Sequence, residues 1–120
     1  LTLREKQTEL KQQKYPWDLA KSFINACPVS PLQPFDNNKS LHDLEFALTI
    51  NGQIRQQGNS KDMIFDIPSQ IQFIAQRIPL MAGDIIMTGT PEGVGPLHDA
   101  DQLALEFDGE TVAQAKISRT

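Results

Sequence analysis

In the run Leu44-Glu45-Phe46-Ala47-Leu48-Thr49-Ile50-Asn51-Gly52-Gln53-Ile54-Arg55-Gln56-Gln57 the chain takes on a period of two. Leu44, Phe46, Leu48 and Ile50 alternate with Glu45, Ala47 and Thr49, as in a strand with one buried face. Asn51-Gly52 then supplies the strongest short hairpin signal, because a type I′ turn needs positive φ at both central positions. Gln53 to Gln57 is the returning strand. An antiparallel hairpin is therefore the expected nucleus of the fold.

Downstream, Leu103, Leu105 and Phe107 alternate into Asp108-Gly109, and Thr111 to Ile117 returns as a second hairpin. Ile85, Ile86 and Met87 read as an apolar strand. A helix is expected to begin near Asp66 to Ser69, with Pro68 tolerated in its first turn and Ile67, Ile71, Ile74 and Ile78 as a buried stripe. Upstream, Thr2 to Lys14 is rich in Glu, Lys, Gln and Leu and predicts a helix. Tyr15-Pro16-Trp17 breaks it, and Asp18 to Lys21 forms one further turn. Pro28, Pro31 and Pro34 punctuate an irregular segment to about Ser40, in which Trp17, Phe23 and Cys27 are expected to pack. The fold class is α+β, β-rich with two short helices. Its open sheet edges call for cover by a further segment or a partner chain.

Composition bounds the partners. With 120 residues, 39% hydrophobic and 22% charged, the chain sits near the globular average, so disordered and fibrous classes are excluded. A net charge of −4 gives no reason to expect nucleic acid or an anionic membrane, although Arg4, Lys6, Lys11, Lys14 and Lys21 crowd the first stretch. No apolar run approaches the roughly 18–20 residues of a membrane span. Cys27 is the single cysteine, so no internal disulfide can form, and a reduced, cytoplasmic setting is expected. The chain opens on Leu1-Thr2-Leu3-Arg4 rather than on a methionine, and a preceding segment is expected.

Chemistry has few places to reside. Thr88-Gly89-Thr90-Pro91-Glu92-Gly93-Val94-Gly95-Pro96 can expose backbone N–H groups and hydroxyls to an anion. By composition it is equally a tight crossover. Lys21, between apolar neighbours, is either a partly desolvated charge partner or a surface lysine that snorkels. Arg4, Gln7 and Lys11 share a helix face, which by itself reads best as solvated. His42 and His98 lack ligand-like neighbours, Asp99 and Asp101 read as a solvated turn, and Cys27 as a small buried residue.

Four motifs occur in order: Trp17-x-x-Ala20-Lys21-x-Phe23, Asn51-Gly52-x-x-Arg55-Gln56-x-Gly58, Met63-Ile64-Phe65, and Gly83-Asp84-Ile85-Ile86-x-Thr88-Gly89-Thr90-Pro91-x-Gly93-Val94-Gly95-Pro96. Over nearly the whole chain this series resembles the catalytic domain of the fumarylacetoacetate hydrolase family. It is nearest the branch that acts on acylpyruvates and oxaloacetate. The resemblance implies a mixed β-roll, with residues 1–120 as the C-terminal portion of a single catalytic domain, and a homodimer. It implies a Mg²⁺ or Mn²⁺ cofactor, held by a Glu-x-Glu segment and one Asp. Lys21 would stand beside metal and substrate as the catalytic charge. Thr90 would bind the substrate carboxylate, Gly89 would shape that pocket, and Arg4 and Gln7 would face the substrate.

The departures are as informative. No Glu-x-Glu of the family type is present, and the metal-binding Asp would precede Leu1. The His and Glu that activate water in hydrolytic members would also lie upstream. No metal ligand is therefore expected within this chain, and the chain alone is expected to be inactive. The implied reaction converts a small 2-oxo or 2,4-dioxo acid through an enolate, which a divalent cation stabilises as Lewis acid. Acylpyruvate or fumarylpyruvate C–C hydrolysis is the favoured outcome. Oxaloacetate decarboxylation and keto–enol tautomerisation, like that of 5-carboxymethyl-2-hydroxymuconate isomerase, are the alternatives. A non-catalytic carboxylate-binding module shares the same loop.

Overall fold

The computed structural model describes residues 1–36 and 38–118. The chain forms two compact units, Leu1–Ser30 and Pro31–Thr120. The first holds α1 (Arg4–Gln12) and α2 (Asp18–Lys21). Helix α1 is shorter at both ends than the composition of residues 2–14 predicts. At its start, the Leu3 N–H donates to the Ala20 carbonyl at 3.1 Å, and Leu3 itself is non-helical. At its end, Lys14 adopts φ 57, the Lys14 N–H donates to Lys11 and the Tyr15 N–H to Leu10. This is a Schellman stop, in which two orphan carbonyls are satisfied before Pro16 is reached.

Leu10, Ala20 and Ala26 are the buried apolar residues of this unit. Cys27 and Trp17 are exposed, which corrects the expectation that they pack. Two short helices enclose one leucine and two alanines; so small a unit lacks the depth to surround an indole.

The second unit is built on β1 (Glu45–Ile50), β2 (Gln53–Asn59), β3 (Gln102–Phe107) and β4 (Glu110–Lys116). They form one antiparallel sheet in the order β2-β1-β3-β4. Both hairpin turns take positive φ at both central residues, 52 and 78 at Asn51-Gly52 and 49 and 80 at Asp108-Gly109. The α+β, β-rich class is as expected, with α3 (Ile67–Ala75) and a 3₁₀ turn at Ser60–Asp62 completing the elements.

Burial along β1 departs from simple alternation. Ala47, Thr49 and Ile50 are buried, whereas Phe46 and Leu48 are only half-buried. Strand β1 is flanked on both sides by β2 and β3, so small side chains on either face are shielded by their neighbours. Polar groups close its open end. Leu44 N–H donates to Ser60 Oγ at 2.9 Å, Ser60 N–H returns to the Leu44 carbonyl at 3.0 Å, and Asn59 Nδ2 reaches Asp43 at 2.8 Å. Asp101, expected to be solvated, ties the first hairpin turn to β3. It accepts from Asn51 Nδ2 and from the His98 N–H, both at 2.8 Å, while Asn51 Oδ1 accepts from the Gln102 N–H at 2.9 Å. The His98 N–H and then Asn51 hold its carboxyl below the ordinary value. Lys39 pairs with Asp108 at the second turn, so the carboxyl is lowered and the ammonium raised.

Two apolar stretches differ from their sequence reading. None of the α3 stripe is buried, with Ile71 and Ile78 exposed. Ile85 to Met87 is not a strand, and Ile85 and Met87 are exposed. A strand exists only where a neighbour completes its ladder, and none of the described strands pairs with this segment. No helix among the described residues is long and apolar enough to cross a membrane.

Helix α3 begins at an N-cap that carries a testable pH dependence. Asp66 accepts from the Ser69 N–H at 2.7 Å, and that contact lowers its carboxyl below the ordinary 3.8, with a smaller contribution from His42. A carboxyl lowered by folding stabilises the folded form above its ordinary value and loses that contribution as pH falls through the lowered one. Helicity of α3 should therefore decline only in acid, below the ordinary 3.8. Asp66→Ala should lose the cap at every pH, whereas Asp66→Asn should keep it and flatten the acid transition. Circular dichroism across that range is the measurement; wild-type helicity in Asp66→Ala would remove the cap from the account.

Candidate functional site

The loop Thr88–Pro96 lies against β2, and the register of the first hairpin explains how. Leu48 pairs with Gln56 and Thr49 with Ile54, so Arg55 has no partner on β1. Successive strand residues ordinarily face opposite sides of a sheet. A bulge breaks that rule, which lets two consecutive residues serve the same neighbour. Here Arg55 and Gln56 both meet the loop. The Arg55 carbonyl abuts Gly93, where φ is 95, and the Arg55 guanidinium abuts Gly95. The Gln56 side-chain amide Nε2 donates to Thr90 Oγ1 at 2.9 Å, to the Pro91 carbonyl at 2.9 Å and, more weakly, to the Glu92 carbonyl at 3.3 Å. Pro91 also packs over Gly58, beside the Phe46 ring.

The loop is pinned on its β2 side and open on the other. Gly89, with φ 109, has nothing within 4 Å of where a Cβ would be, and Thr88, Gly89 and Thr90 are exposed. Thr90 and Gly89 thus stand together at an accessible surface held by a strand. Gln56 was not singled out by sequence reasoning. Its signal was there in Asn51-Gly52-x-x-Arg55-Gln56, read as family support rather than as an anchor.

The other expected site residues lie in the first unit. Arg4 Nη1 donates to Gln7 Oε1 at 3.0 Å, so these two do share a face. Lys21 ends α2, is exposed rather than desolvated, and donates from Nζ to Thr2 Oγ1 at 2.7 Å. A one-turn helix gives the lysine stem little to bury against. Among the described residues no cluster of three or more His, Cys, Asp or Glu could hold a metal ion. His42 faces Asp66 at 4.0 Å instead. A shallow depression of about 370 Å³ is lined by Ile50, Asn51, Ile54, Arg55, His98 and Asp101, but Thr90 is not in its wall. Its carboxylate is already committed to Asn51 and His98.

The bulged edge of the antiparallel sheet thus presents a pinned, glycine-rich loop with exposed hydroxyl and backbone groups. A family model described as fumarylacetoacetate (FAA) hydrolase C-terminal matches residues 1–118, and the chain belongs to that family. A mouse (Mus musculus) relative, "Oxaloacetate tautomerase FAHD1, mitochondrial", is 41% identical over 120 residues, which are 100% of this chain and 54% of the relative. A crystal structure of a fumarylacetoacetate hydrolase family protein from Yersinia pestis CO92 superposes with TM-score 0.87 at 43% identity, over 97% of this chain and 53% of that one. Fumarylpyruvate hydrolase from Pseudomonas aeruginosa, in complex with Mn²⁺ and pyruvate, gives TM-score 0.86 at 25% identity, over 98% and 50%. The chain spans about half the length of the relatives it matches.

Proposed function

We propose that the whole protein converts a small 2-oxo dicarboxylic acid of the oxaloacetate type through its enolate, and that this chain supplies the carboxylate pocket. The observation that carries the reading is the Thr88–Pro96 loop, pinned to β2 with the Thr90 hydroxyl exposed. Thr90 donates to the substrate carboxylate and Gly89 leaves room for it to approach. Arg4 and Gln7 contribute polar contacts, and Lys21 contributes positive charge where the enolate develops. Keto–enol tautomerisation asks for a bound carboxylate and a stabilised enolate oxygen, with a proton moved between carbon and oxygen. The likeness to a relative named oxaloacetate tautomerase turns the preference from C–C hydrolysis to this outcome. Hydrolysis of a fumarylpyruvate-type acid is the second reading, supported by the likeness to the Pseudomonas enzyme.

A divalent cation, Mn²⁺ or Mg²⁺, is proposed as cofactor of the whole protein, on the likeness to the Mn²⁺-bound structure. The described residues do not form a metal cage. Homodimeric assembly and an intracellular setting, cytoplasmic or mitochondrial, belong to the same proposal. The test is a thermal shift of the intact protein by oxalate with MgCl₂ or MnCl₂. Wild type should be stabilised, and Thr90→Val should weaken oxalate by about 10- to 100-fold, the worth of a hydrogen bond to a charged group. Absence of any oxalate shift in wild type would overturn the reading.

A further inference from the structure

The geometry points to Gln56 as the positioning residue that fixes the Thr90 hydroxyl as a hydrogen-bond donor, so that the pocket selects an anionic, acceptor-only group. The inference rests on the carboxylate-pocket reading above and adds what sets its polarity. A glutamine amide can face its neighbours with either oxygen or nitrogen, and the neighbours decide which. At Gln56 the decision is unambiguous. The Pro91 and Glu92 carbonyls can only accept, so the atom facing them is the NH₂ nitrogen. The same nitrogen lies 2.9 Å from Thr90 Oγ1. The threonine oxygen is therefore the acceptor in that contact.

A hydroxyl has one proton and two lone pairs. With one lone pair engaged by Gln56, the Thr90 proton points away from the amide, toward the exposed side of the loop. Among the described residues no recorded hydrogen bond takes that proton. A chain of donors, amide to hydroxyl to ligand, also polarises each successive O–H. A carboxylate oxygen completes the chain. A ligand group that could only donate would be confined to the second lone pair and would leave the Thr90 proton without an acceptor. The amide has two N–H groups for three acceptors, so Thr90 and Pro91 take the short contacts and Glu92 the shared longer one. Gln56 and Gly58 lie two apart on β2 in regular register and both meet Pro91, so strand alternation turns Gln56 toward the loop.

The test is a double-mutant cycle in the intact protein, read as oxalate inhibition and as KM against kcat on oxaloacetate. Gln56→Met keeps the length of the side chain and removes its N–H groups. Alone it should raise the oxalate inhibition constant about 10-fold, with KM moving more than kcat. In the Thr90→Val background the same change should cost less than about 2-fold, because there is no hydroxyl left to orient. Thr90→Ser should restore the coupling. If Gln56→Met does not fold, Gln56→Glu serves: its carboxylate repels the anion in both backgrounds but captures the Thr90 proton only where a hydroxyl is present, so affinity falls further in the wild-type background than in Thr90→Val. Equal losses in both backgrounds would overturn the proposal, leaving Gln56 as a tie to the Pro91 and Glu92 carbonyls with the pocket intact. A neutral Thr90→Val would instead sink the pocket reading, and the proposal with it.

Discussion

Gly93→Ala is expected to free the Thr88–Pro96 loop from β2 and to lower the oxalate affinity of the intact protein by about 30- to 1000-fold. Two costs add. Gly93 has φ 95, where an L-residue is strained by about 1–2 kcal/mol. A Cβ there also overlaps the Arg55 carbonyl oxygen and comes within 3.2 Å of Gln56 Cγ. The carbonyl belongs to the bulged backbone of β2, so it cannot swing aside as the end of a flexible side chain could. Together the terms reach about 2–4 kcal/mol, and the cheapest way to relieve them is to undock the loop. Gly83→Ala is the matched control. It lies outside the loop and meets nothing within 4 Å, so only the conformational strain at φ 96 remains, and its loss should be about 10-fold or less. Calorimetric titration with oxalate, paired with hydrogen exchange over residues 88–96, reads both effects. Wild-type affinity and protection in Gly93→Ala would show that the close approach to Arg55 does not hold the loop.

That contrast also shows what the sequence could and could not disclose. The hairpins were legible because Asn51-Gly52 and Asp108-Gly109 each fix a turn by local φ alone, and both turns are where they were read. The start of α3 near Asp66 was legible for the same reason, as contact between Asp66 and Ser69 is decided within one turn. The bulge at Arg55 was not, because it depends on the register against Leu48 and Thr49, which no local pattern specifies. The role of Gln56 was hidden too, because its acceptors lie some 35 residues along the chain. Ile85 to Met87 failed differently. Apolar content predicted a strand, yet pairing is a property of two segments, and the described sheet ends at β2 and β4. The loop at Thr88–Pro96 was an even choice between turn and pocket by composition. Its pinned and open sides, set by Gln56 and Gly89, are tertiary facts.

Lys21→Ala in the intact protein is expected to cut oxaloacetate turnover by about 10²–10³-fold while leaving the melting temperature close to wild type. The small stability effect follows from its surroundings. Lys21 is exposed at the end of α2, and its recorded hydrogen bond is the 2.7 Å contact to Thr2 Oγ1. Exposed side chains with a single polar contact contribute little to folding. The large rate effect follows from its proposed role. An ammonium has three N–H groups, so with one given to Thr2 two remain for an enolate oxygen. The Thr2 contact restrains a flexible stem, which lowers the entropic cost of presenting that charge. Thr2→Val should therefore reproduce a small part of the Lys21→Ala defect, chiefly in kcat. Lys21→Met, which keeps the stem without the charge, should be as slow as Lys21→Ala. Lys21→Arg should recover part of the rate, because charge returns but the planar guanidinium cannot occupy the position of a compact ammonium. If charge at the developing oxygen is the contribution, the order must be wild type, Arg, then Met equal to Ala. Wild-type turnover in Lys21→Ala, or Met outpacing Arg, would assign the lysine to the helix surface alone.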